Sequence, residues 1–90
     1  MYHIGDLVIS KSGRDQGRTF IVVDIIDDNY VGIADGSLRK LEKPKKKKIK
    51  HLGYFGKADE RILSKLDENK KVTNSDLRKM LKGDSEGIKK

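Results

Sequence analysis

Two runs rich in Val, Ile and Phe, LVISK at 7–11 and TFIVVDII at 19–26, flank a polar segment, SGRDQGR, that carries glycine at 13 and 17. β-Branched and aromatic residues suit pleated, half-buried backbone, so each run predicts a strand. The triplet Asp27-Asp28-Asn29 follows the second run. Asp and Asn tolerate left-handed backbone and bond their own main chain, so the chain is expected to reverse there into a third strand, 30–35. In that strand Tyr30, Gly32 and Ala34 share one face and Val31, Ile33 and Asp35 the other, with Val31 and Ile33 expected to point inward.

Asp35-Gly36-Ser37 is a further turn signal, and the only proline, Pro44, breaks the stretch that follows. Charge then becomes concentrated. Residues 39–50, RKLEKPKKKKIK, hold eight Lys or Arg against one acid, Glu42, which equals the whole net charge of +7. The rest of the chain is neutral, so a strong positive potential is local and suits a polyanion. If the segment 45–52 is extended, Lys47, Ile49 and His51 alternate with Lys46, Lys48 and Lys50, and one face can bury Ile49 while the other offers ammonium groups. Composition alone leaves a disordered lysine run equally open.

From Ala58 the period changes to that of a helix: Ala58, Ile62, Leu63 and Leu66 share a face, with Asp59 and Glu60 in the first turn. A second helix is expected to start at Thr73, with Thr73 as N-cap, Asp76 as its capping-box partner, Val72 stapled on Leu77, and Gly83 as its end. Short strands followed by short helices predict a mainly β fold with an α appendage: a small β-barrel over 1–55, a helical hairpin over 56–83 and a flexible tail over 84–90.

At 90 residues and 34% hydrophobic content the core must be small, with little room for a deep catalytic pocket. There is no cysteine, and neither His3 nor His51 stands in a metal-ligand pattern, so no metal and no cofactor are expected. No Ser/His/Asp order or Walker loop is present, which argues against an enzyme. Met1-Tyr2-His3 enters patterned sequence without a signal-peptide profile, and no apolar run approaches membrane length, so a cytoplasmic monomer with no membrane contact is expected.

The segment from Gly5 to Ile25, with Gly5-Asp6, Val8 and the loop Gly13-Arg14-Asp15-Gln16-Gly17-Arg18, resembles the KOW motif, a glycine-centred hairpin of many ribosomal proteins and some transcription factors. More narrowly, Val23-Asp24-Ile25-Ile26-Asp27-Asp28-Asn29 and the closing Lys50-His51-Leu52 are similar to the fourteen-e family of large-subunit ribosomal proteins. The resemblance covers about residues 4–52. It implies an SH3-like barrel that contacts structured ribosomal RNA and neighbours ribosomal proteins, and it implies that 45–52 is a barrel strand. The expected RNA-binding residues are Lys11, Gly13, Arg14, Gly17, Arg18, Lys45, Lys46, Lys47, Lys48, Lys50 and His51. Asp15, a poor phosphate ligand, is expected to shape the loop. Tyr30, Tyr54 and Phe55 offer stacking surfaces, although barrel cover is the commoner use of such side chains. The competing readings are an SH3-like adaptor for acidic protein partners and a helix-turn-helix DNA-binding regulator.

Overall fold

A computed structural model describes residues 1–58, 60–67 and 72–89, with side chains for all of these except 60, 61, 66, 67 and 82–89. Among the described residues there are five strands: β1 (Asp6–Ser10), β2 (Thr19–Ile25), β3 (Tyr30–Ala34), β4 (Lys45–Lys48) and β5 (Leu52–Lys57). They form one antiparallel sheet in the order β4-β3-β2-β1-β5. The two edge strands, β4 and β5, are joined only by a 3₁₀ turn, Ile49–His51. In a flat sheet those edges would lie roughly 19 Å apart, four intervals of about 4.8 Å. Three 3₁₀ residues rise only about 6 Å. The sheet must therefore curl until its edges meet, as a small barrel. Register shifts between Leu7 and Val8 and between Val22 and Asp24 add local twist, which helps the curl.

Both faces of the sheet are covered, which explains the unbroken apolar run of β2. Val8, Phe20, Val22, Val31, Ile33 and Leu52 fill the barrel interior, joined by Tyr2 and Ile49. Val31 and Ile33 point inward as expected. On the outer face Leu7, Ile21 and Ala34 pack against Ala58, Ile62 and Leu77 from the helical segment, with Val23, Leu63, Val72 and Met80 at the margin. A strand buried on both sides reads as a continuous hydrophobic run instead of an alternating one.

The helices are α1 (Glu60–Asp67) and α2 (Asn74–Lys89). The expected capping box is present: the Thr73 N–H donates to Asp76 Oδ2 at 3.0 Å, and the Asp76 N–H donates to Thr73 Oγ1 at 3.1 Å. The bond from the Thr73 N–H holds the Asp76 carboxyl below the ordinary carboxylate range, against a smaller opposing effect of burial; the Thr73 hydroxyl, Lys65 and Lys79 add to the lowering. At its start α2 is fastened to the β3–β4 connection. Asn74 Oδ1 accepts from the Leu41 N–H at 2.8 Å, its Nδ2 donates to Glu42 at 2.7 Å, and Arg78 donates to the Gly36 carbonyl. Gly36 has φ +81, and a Cβ built there would collide with the Asn74 carbonyl. Only glycine serves both the turn and the close approach of the helix.

Three expectations need correction. The stretch 45–52 is not one strand: pairing ends at Lys48, and Ile49–His51 turns the corner that closes the barrel. The sheet runs to Lys57, past residue 55, because LGYFGK forms β5; its two glycines lower strand propensity and hid it. Helix α2 passes through Gly83 to Lys89, where a stop and a loose tail were expected. A single glycine costs a helix only about 1 kcal/mol and does not compel a stop. The expectations for Asp59, for 68–71 and for the side chain of Leu66 lie outside the described residues.

Candidate nucleic-acid interface

Strand register divides the lysine run between two environments. Lys45 pairs with Ile33 and Lys47 with Val31, so both share the face that points into the barrel; Lys46 pairs with Gly32 and Lys48 with Tyr30, on the outer face. Lys47 is 7% exposed. Its Nζ lies 3.0 Å from Asp15 Oδ1 and donates to the Ser12 carbonyl at 2.9 Å. Lys45 approaches Asp15 Oδ2 at 3.1 Å, and Ser10, buried at the end of β1, donates its hydroxyl to Oδ1 at 2.8 Å. The Asp15 side chain thus reaches from the loop over the barrel mouth, 3% exposed, bound to two strands. Burial would raise its pKa, but hydrogen bonds from Lys47, Ser10 and Lys45, together with the charge of Lys47, outweigh it and hold the carboxyl well below the usual range.

The β1–β2 loop, residues 11–18, is therefore held at both its stem and its centre. Lys11 donates its N–H to the His51 carbonyl at 2.8 Å, Gly17 donates to the Ser10 carbonyl at 2.8 Å, and Arg18 donates to the Asp15 carbonyl at 2.9 Å. Gly13 and Gly17 have φ +85 and +88, the left-handed conformation that L side chains rarely adopt. A Cβ at Gly17 would meet nothing within 4 Å, so its neighbourhood is open to a ligand. The side chains of Lys11, Arg14 and Arg18 are exposed.

Outside the barrel Lys46 and Lys48 flank the Tyr30 ring, with Nζ 4.6 and 5.8 Å from its centroid. Each such contact is worth about 0.5–1 kcal/mol at an exposed site and orders a long side chain that would otherwise sample many rotamers. Lys46 and Lys50 are exposed; Lys48 and His51 are half-buried. Tyr54 and Phe55, on β5, are 53% and 45% exposed, and Tyr54 lies 6.5 Å from the ring of Tyr2.

Of the eleven expected contact residues, the fold brings the loop members beside β4 and the 3₁₀ turn. It turns Lys45 and Lys47 inward onto Asp15. The sequence carried a signal for this division in the strand period of the run, but the acid that claims the inward pair stands thirty residues earlier. Tyr30 as the partner of two lysines was not legible, since it depends on the β3–β4 register.

Among the described residues, no group of three or more His, Cys, Asp or Glu is gathered to hold a metal ion, and no helix is long and apolar enough to cross a membrane. No family model matches the chain. Over 74 residues, covering 73% of this chain and 77% of the relative, it is 36% identical to the large ribosomal subunit protein eL14 of Desulfurococcus amylolyticus.

Proposed function

Because the chain belongs to the family of the large ribosomal subunit protein eL14, we propose that it is a ribosomal protein that binds folded ribosomal RNA. In this reading it enters the cytoplasmic ribosome as a monomer, beside other ribosomal proteins, in a structural and not a catalytic role. The observation that carries the reading is the Asp15–Lys47 pair, which fastens the cationic loop to the lysine strand. Lys11, Arg14 and Arg18 on the loop and Lys46, Lys48 and Lys50 on and after β4 then act together on phosphates, while Lys45 and Lys47 hold the scaffold. The loop serves as a KOW-type contact, with Gly13 and Gly17 allowing RNA backbone close to protein backbone. A-form RNA is recognised mostly by shape and by phosphate and 2′-hydroxyl contacts, which suits a rigid cationic surface with little capacity to read bases.

The test is crosslinking in cells followed by sequencing of the attached RNA, comparing the wild type with a Lys46→Glu, Lys48→Glu, Lys50→Glu variant. Enrichment of large-subunit ribosomal RNA, lost in the variant, is expected. Enrichment of no RNA class, or enrichment indifferent to the triple change, refutes the function. Survival of the protein's pull-down partners after nuclease treatment, without RNA, points to an adaptor instead.

A further inference from the structure

A shallow groove separates the β1–β2 loop from α2, lined by Gly17, Arg18, Thr19, Asp35, Arg78 and Leu81. Two arginines from elements sixty residues apart thus border one open space. Both are exposed. Arg78 spends one donor on the Gly36 carbonyl, which leaves four of the five N–H groups of a guanidinium. That bond, with the Asn74 bonds one turn earlier, holds this part of α2 against the β3–β4 connection. Among the described residues neither arginine is ion-paired; the pairs present involve Lys45, Lys47 and Lys65. The acid in the lining, Asp35, is buried, and its Oδ1 accepts from the N–H groups of Ser37 and Arg39, each at 2.9 Å. At the rim Gly17 presents no side chain, and the protein places nothing within 4 Å of where a Cβ would stand.

We propose that this groove is a second phosphate-binding seat, in which Arg18 from the loop and Arg78 from α2 clamp the sugar-phosphate backbone of the same RNA. The proposal rests on the RNA-binding reading above and deepens it, because it makes the helical segment a wall of the interface as well as a cover for the sheet. The planar fork of a guanidinium matches two oxygens of a phosphate, and two forks facing an open groove suit a repeating phosphodiester better than an isolated anion. RNA is favoured over an acidic peptide as the occupant, because the groove continues from the loop that the reading above assigns to RNA.

The experiment measures the affinity of the full chain for its cognate large-subunit ribosomal RNA, transcribed in vitro, across a salt series, for wild type, Arg18→Gln, Arg78→Gln and the Lys46/Lys48/Lys50 triple Glu variant. Each arginine variant is expected to bind about three- to tenfold more weakly, with the slope of log K against log salt reduced by about 0.7–0.9, one phosphate contact each. A merely structural role leaves that slope unchanged. Wild-type affinity and slope in both arginine variants, with binding lost in the triple variant, overturn the groove and leave the RNA reading intact. Wild-type binding by the triple variant overturns the RNA reading itself. If loss of the Gly36 bond unfolds Arg78→Gln, Thr19→Glu, which sets a negative charge in the groove lining, takes its place: weaker binding is expected, and wild-type affinity overturns the proposal. Competition by poly-L-glutamate that depends on both arginines as strongly as RNA binding does assigns the groove to an acidic protein and overturns it as well.

Discussion

Replacing Asp15 by Asn tests whether the barrel mouth depends on a buried charge. The change keeps shape and removes one negative charge, leaving the Lys47 ammonium, whose side chain is 8% exposed, without its counter-charge. Breaking a buried pair from one side costs about 3–5 kcal/mol, because the remaining charge stays desolvated. Lys45 is 26% exposed, so solvent screens its share, and it contributes under about 1 kcal/mol. For a domain of this size each kcal/mol moves the melting point by about 4–8 °C, so a drop of about 12–40 °C is expected. Thermal and urea denaturation followed by circular dichroism measure it. The double change Asp15→Asn with Lys47→Met removes both charges and should recover much of the loss. The pH dependence gives a second check. The folded carboxyl titrates below the unfolded value of about 3.9, so its stabilisation is complete above that value and fades as pH falls below it. Wild type and Asp15→Asn should therefore differ by a constant amount between about pH 5 and 8 and draw together progressively as pH falls below about 3.9. A loss below about 1 kcal/mol at neutral pH, or no convergence in acid, refutes the reasoning, because the pair would then behave as a solvated one.

Five other substitutions probe the scaffold and the proposed contact surface. Lys46→Gln should change stability by no more than about 1 kcal/mol, the worth of its contact with Tyr30, yet weaken RNA binding; Lys47→Gln should do the reverse per folded molecule, as melting curves and filter binding on the same samples will show. Gly36→Ala meets both a left-handed backbone, worth about 1–2 kcal/mol, and the Asn74 carbonyl. It should therefore release α2, seen as faster amide exchange in α2 than in β2. Thr73→Ala should cost about 1 kcal/mol of stability through loss of its side-chain cap. Because the Asp76 carboxyl is held low when folded, that acid's own contribution is present at neutral pH and lost as pH falls below about 3.9; an Asp76→Ala variant should show a flatter acid limb.

Local pattern made much of this molecule legible. The first three strands, the inward Val31 and Ile33, and the Thr73–Asp76 cap were readable because each rests on neighbours within a few residues, where backbone preference and side-chain period act directly. β5 escaped notice because Gly53 and Gly56 weaken its propensity; it is held by pairing with β1, more than forty residues away. Gly83 does not end α2, because a glycine lowers helix stability without forbidding the helix.

The lysine run marks the border between the two kinds of information. Its charge, and the alternation available to an extended chain, are properties of residues 45–48 alone. Which lysines turn inward depends on their register against Ile33 and Val31, and why two ammonium groups tolerate that position depends on Asp15, carried over the barrel mouth by a separate loop. The arginines that border the groove come together for the same reason, through closure of the sheet and the seating of α2 on Gly36. Burial sets the sign of such effects. A lysine in water is a mobile cation open to any polyanion, whereas a charged lysine inside a closed barrel needs a counter-charge, and here only long-range folding brings Asp15 to it.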